Sequence, residues 1–263
     1  MARPKNDRVG ECFITKEELG GYKIIIVEYN NYNDVVVEFQ DEYKAKKRDT
    51  YQHCKQGVIA NPYHPSVFGV GFVGEGNYLA SVNNEITKHY NYWYFILQRG
   101  CDENFKEKHP SYKDVTVNKE IYDFQKFGEW LDNNWYEVEG ERMHIDKDIL
   151  IKGNKEYRFD RMILVPQRIN TLFVKNDSRR GKYPIGVYYN KECNKFQASC
   201  RILNNSGKQI KKNLGLYNTP EETFQAYKIF KEQYIKEVAD EYKNLIPQDL
   251  YEAMYRWKVE ITD

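Results

Sequence analysis

The sequence predicts an α+β protein in three segments, and three observations carry that prediction. Up to about residue 78 the apolar residues come in β-branched runs broken by Asn, Gly and Pro. From Lys88 onward apolar residues recur every three or four positions, the spacing of an amphipathic helix. After residue 183 strand-like alternation returns and then gives way to a capped helix. The expected division is a small β N-terminal domain over 1–78, an α+β domain with a strand–turn–strand–helix core over 79–175, and over 176–263 a three-stranded antiparallel sheet packed on a helix, with C-terminal helices.

In the first segment, residues 22–29 and 35–39 are β-branched runs separated by an Asn-rich turn, the signature of a hairpin. Lys44, Lys46, Lys47 and Arg48 form a short basic cluster expected in a solvated loop. Tyr90, Trp93, Tyr94 and Leu97, then Phe124, Phe127, Trp130 and Leu131, mark two amphipathic helices whose aromatic stripes are core. Residues 143–170 read as strand, Gly-Asn turn, strand and short helix, and Arg179–Lys182 as a linker. In the last segment residues 185–189, 195–203 and 209–217 are strands. Along the second, Phe196, Ala198, Cys200 and Ile202 alternate with Lys195, Gln197, Ser199 and Arg201, giving one apolar and one polar, basic face. Thr219-Pro220-Glu221-Glu222 supplies an N-cap, a first-turn proline and an acidic residue three positions on. Phe224, Tyr227, Phe230, Tyr234, Val238 and Tyr242 form the stripe expected to cover the sheet.

Composition excludes several function classes. The 263 residues carry 40 Lys and Arg against 39 Asp and Glu, so overall charge recruits neither nucleic acid nor membrane. No apolar run is long enough to span a bilayer, and the N-terminus lacks the apolar stretch of a secretory signal. Five scattered cysteines without a CxxC pair argue against a disulfide scaffold or a four-Cys zinc site. There is no GxGxxG, Walker loop or GxSxG elbow. Charge is instead segregated. Between residues 171 and 215 ten Lys and Arg face only Asp177 and Glu192, a local net of +8 suited to a DNA groove and equally to a solvated sheet face.

The stretches 183–189 (YPIGVYY), 195–198 (KFQA), 214–219 (LGLYNT) and 221–226 (EETFQA) occur in one recognisable order. Over about residues 183–243 they resemble the DNA-binding domain of the Apetala-two/ethylene-response-factor family, whose relatives occur in phage homing endonucleases. The resemblance implies a sheet lying in the major groove of double-stranded DNA. The family's first-strand arginine positions fall on Tyr188 and Asn190 and a tryptophan position on Asn213, so all three depart from its pattern. Lys195, Gln197, Arg201 and Lys211 remain on the implied DNA-facing side, as backbone contacts rather than guanine readers.

The preceding region, with stretches such as 93–99, 110–117, 124–127, 145–149, 153–155 and 165–170, resembles the phage proteins that couple such a domain to an HNH-type nuclease. That resemblance implies a ββα unit holding one divalent metal, Mg²⁺, with a general base on the first strand. Carried over, the catalytic positions fall on His144 and Asn154 and the metal ligands on Asp146, Asp148 and Asn170, while Lys147 stands near the expected catalytic His. The residues themselves leave the alternative of strand-end turn chemistry for Asp146 and Asp148, left-handed turn geometry for Asn154, and a helix cap for Asn170. The implied function is a DNA-binding, DNA-cutting or DNA-nicking protein in the cytoplasm of a bacterial host. The alternative is a catalytically inactive descendant acting as a regulator, or as an anti-defence protein that binds a host protein.

Overall fold

The computed structural model describes residues 8–174, 182–203 and 208–263. The chain is α+β and forms two compact units, Met1–Asn133 with Lys155–Asp160, and Asn134–Asn154 with Arg161–Asp263. The boundaries expected near residues 78 and 175 each fall inside one of these units.

The first unit opens with β1 (Cys12–Ile14), β2 (Lys23–Asn31), β3 (Asp34–Phe39) and β4 (Lys46–Asp49), an antiparallel sheet in that order. The expected hairpin is β2–β3, turning over Tyr32-Asn33 with Asn31 opposite Asp34. Ile24, Ile26, Val35, Val37 and Phe39 are fully buried, packed with Tyr51 and Cys54 of α1 (Tyr51–Gln56). The basic cluster is not a loop: Lys46, Lys47 and Arg48 lie on edge strand β4, and Arg48 pairs with Asp34 at 2.5 Å and Glu28 at 3.5 Å. A short hairpin of β5 (Ser81–Val82) and β6 (Glu85–Ile86) leads to α2 (Lys88–Cys101), α3 (Glu103–Lys108), β7 (Thr116–Val117) and α4 (Phe124–Asn134). The two aromatic stripes are core: Trp93, Leu97, Phe124, Phe127 and Leu131 have no exposed surface. The Trp93 indole N–H donates to the Ile121 carbonyl at 2.6 Å, so its polar edge is satisfied inside the core.

The second unit contains β8 (Met143–Asp146). The chain then gives β9 (Glu156–Tyr157) to the first unit, paired in parallel with β7, and continues in the second as β10 (Ile163–Pro166) and α5 (Gln167–Phe173). β8 and β10 pair antiparallel, with His144 opposite Val165 and Asp146 opposite Ile163. Most of the expected linker at Arg179–Lys182 lies outside the described residues. β11 (Val187–Asn190), β12 (Lys195–Leu203) and β13 (Gln209–Tyr217) form an antiparallel sheet, followed by α6 (Pro220–Tyr242) and α7 (Gln248–Arg256). Thr219 caps α6, its Oγ1 accepting the Glu222 N–H. A bulge between Ala198 and Ser199 faces Gly215, whose φ of 123° a larger residue would resist.

The α6 stripe divides its duty. Phe224, Tyr227 and Phe230 pack with Cys200, Val187 and Ile202 of the sheet, as the alternation predicts. Tyr234, Val238 and Tyr242 instead join Ile149, Val165 and Ile169 of the β8–β10–α5 segment, with Leu250 and Met254 of α7. The reason is length: 23 helical residues span about 34 Å, more than one small sheet covers. No helix among the described residues is long and apolar enough to cross a membrane.

Candidate nucleic-acid interface

Strand register decides which side chains share a face of the C-terminal sheet. Tyr188 lies opposite Gln197 and Asn190 opposite Lys195, while across the other seam Ser199 lies opposite Asn213 and Arg201 opposite Lys211. Residues directly opposite, or two apart on a strand, point to the same side. All seven residues carried over from the resemblance, Tyr188, Asn190, Lys195, Gln197, Arg201, Lys211 and Asn213, therefore share one face. Ala198 and Cys200, buried beneath α6, mark the opposite face. Contacts across the open face agree: the Lys211 ammonium sits 4.1 Å from the Tyr188 ring centroid, and the Tyr188 hydroxyl donates to Gln197 Oε1. Of the ten basic residues in the local cluster, Lys175, Arg179 and Arg180 lie outside the described residues.

Three amides on this face are already half used. Asn190 Oδ1 accepts the Glu192 N–H, Asn213 Oδ1 accepts the Gly215 N–H, and Gln197 Oε1 takes the Tyr188 hydroxyl. Each carbonyl oxygen uses one of its two acceptor sites within the sheet, which fixes the orientation of the amide.

The β8–β10 hairpin and α5 follow one another in ββα order, but the candidate site residues serve the loop between the strands. Asp146 Oδ1 accepts the backbone N–H groups of Asp148 and Ile149, each at 2.8 Å. This is the strand-end turn that the residues alone allowed. Asn154 does not carry the left-handed backbone, which falls on Gly153 at φ 83°. Its side-chain amide instead donates to the Lys147 carbonyl at 2.7 Å, tying the loop across seven residues. Lys147 reaches Asp148 at 3.5 Å, and Lys152 pairs with Asp263 at 2.7 Å rather than with either aspartate. Asn170 lies within α5, so it is not a cap, and the α5 N-cap position is Pro166.

His144 and Asp146 share the β8 face with Val165 and Ile163, the face turned toward the core containing Ile169, Val238 and Leu250. Burial, reinforced by the Asp148 charge, pushes Asp146 up to about 6. Mg²⁺ holds its waters tightly and needs room for them. Here one carboxylate is largely buried and turned onto its own loop, where its Oδ1 already accepts two backbone N–H groups. These residues do not fit a hydrated Mg²⁺ ion.

Lys231, which is not among the residues expected from the sequence to carry function, lines a cavity of about 650 Å³ beside the sheet. The signal was present: 224, 227, 231, 234 and 238 repeat at three and four, which puts a lysine within the buried stripe of α6. Protein-family models, curated proteins and solved structures give no match to this chain.

Proposed function

We propose that this protein binds duplex DNA through the open face of the β11–β12–β13 sheet, and that the β8–β10–α5 segment braces the sheet through α6 rather than cutting DNA. The single observation that carries this reading is the convergence of Tyr188, Asn190, Lys195, Gln197, Arg201, Lys211 and Asn213 on one face opposite the helix. Lys195, Arg201 and Lys211 are exposed cations that meet phosphates, and the amide N–H groups add donors to the same backbone. Binding is then strongly salt-dependent and weakly selective for sequence.

Fluorescence anisotropy of the full chain with a labelled duplex tests this across a salt series. Replacing Lys195, Arg201 and Lys211 together by Ala should flatten the slope of log K against log salt by about 2 to 3, at roughly 0.9 per lost phosphate contact. The loss should be similar on unrelated sequences. A wild type that leaves duplex DNA unbound at low salt, or a triple variant with an unaltered slope, would remove the proposal.

A further inference from the structure

The cavity at the edge of the C-terminal sheet has the chemistry of a ligand site. β11 runs only from Val187, so among the described residues β12 continues past it without a neighbouring strand on that side. There the Ser199 N–H bonds Gly186 and the Leu203 N–H bonds the Tyr234 hydroxyl. Strand alternation aims the Arg201 N–H from the same open edge. The space of about 650 Å³ is walled by Leu172, Ile185, Val187 and Ile202 and by the rings of Tyr183 and Tyr227. Four cations line it, Arg168, Arg201, Lys211 and Lys231, and among the described lining residues there is no Asp or Glu.

Two of these cations are placed at an energetic disadvantage. Lys231 occupies the buried stripe of α6 between Tyr227 and Tyr234, where the three-and-four spacing calls for an apolar side chain. Burial holds its ammonium below the usual lysine range, opposed by the Cys200 thiol. Arg168 pairs with Glu241 at 2.6 Å, yet its Nε–H is buried without a hydrogen-bond partner. A buried donor left in this way opposes folding, as does a desolvated lysine. An anion supplied from solution would pair with the Lys231 ammonium. Apolar walls, aromatic rings and a cationic lining together match a flat ring system carrying phosphate, and the volume lies within the range of small-molecule sites.

The geometry points to a nucleotide-binding site in this cavity, with the phosphate held by the Lys231 ammonium and the Arg201 backbone N–H at the edge of β12, and the base packed against Tyr183 and Tyr227. The site shares Arg201 and Lys211 with the proposed DNA face but does not depend on it, because nucleotide binding is measured without DNA.

Isothermal titration of the full chain with AMP, GMP, CMP and UMP, with adenosine and inorganic phosphate as controls, tests the assignment. At least one mononucleotide should bind with one-to-one stoichiometry and more tightly than either control. Lys231→Met should weaken it roughly 10- to 100-fold, the worth of a charge-assisted hydrogen bond. Lys231→Met should also unfold at or above the wild-type temperature, since it restores the apolar stripe, and Lys231→Gln serves as a second uncharged variant. No mononucleotide binding up to millimolar concentration, or unchanged affinity in the folded Lys231 variants, would overturn the assignment, whatever the outcome with DNA.

Discussion

Replacing Asp146 by Asn tests whether the fold holds its carboxyl pair against electrostatic resistance. Burial is the largest cause of the upward displacement and the Asp148 charge the next, so the Asp146 carboxyl titrates at about 6 instead of 3.8. At about 1.4 kcal/mol per pH unit, that gap corresponds to roughly 3 kcal/mol against the ionised form in the folded state. The folded value lies above the unfolded one. The favourable contribution is therefore complete below about pH 4, is lost as pH rises through about 6, and leaves the ionised carboxylate opposing the fold at neutral pH. Asn carries no charge, and its Oδ1 can accept the same two N–H groups from Asp148 and Ile149. Asp146→Asn should therefore be more stable than wild type by roughly 3 kcal/mol at pH 7.5, falling to about 1 kcal/mol at pH 4.5. Urea unfolding followed by tryptophan fluorescence at the two pH values reads this directly. In calorimetry the gain should appear as a rise of roughly 5–10 °C in melting temperature at pH 7.5. Asp148→Asn should give a smaller gain, because it removes the neighbouring charge and leaves Asp146 buried. The double variant should gain less than the sum, because each substitution relieves the same repulsion. A gain independent of pH, or a loss at pH 7.5, would refute the reasoning.

Gly186 has φ 78°, and a Cβ built there would lie 2.1 Å from the Tyr227 ring, so Gly186→Ala should destabilise the second unit by on the order of 3 kcal/mol in urea unfolding; a change below about 0.5 kcal/mol would mean that the β11–α6 contact is loose. On supercoiled plasmid with Mg²⁺ or Mn²⁺, wild type and an Asp146→Ala/Asp148→Ala double variant should give equal, background nicking; metal-dependent nicking by wild type that disappears in Asp148→Ala would reinstate a nuclease site at the β8–β10 loop.

What the sequence revealed and what it hid divide along a physical line. Features whose signal is local were legible: the β-branched runs of β2 and β3, the Thr219 cap, and the alternation that puts Lys195, Gln197 and Arg201 on the polar side of β12. Features that depend on a distant partner were not. Asp146 looks alike in sequence whether it faces a metal or its own loop, and only the positions of the Asp148 and Ile149 N–H groups tell these apart. Asn170 looks like a cap until α5 is seen to begin at Gln167, after Pro166. Lys231 was hidden by its chemistry, since a hydrophobic stripe is traced through apolar residues and a lysine drops out of the count. The domain boundary was hidden because one uninterrupted helix serves two layers. The N-terminal half of α6 covers the sheet and its C-terminal half covers the β8–β10–α5 segment. No composition shift marks such a division, because the stripe continues unbroken from Phe224 to Tyr242. This sharing gives the second segment a role that needs no chemistry. Val165 and Ile169 clamp the far half of α6 against Leu250 and Met254, and a helix fixed at one end holds the sheet at the other. The apolar face of the β8–β10–α5 segment thus orients the helix that lies beneath the β11–β12–β13 sheet.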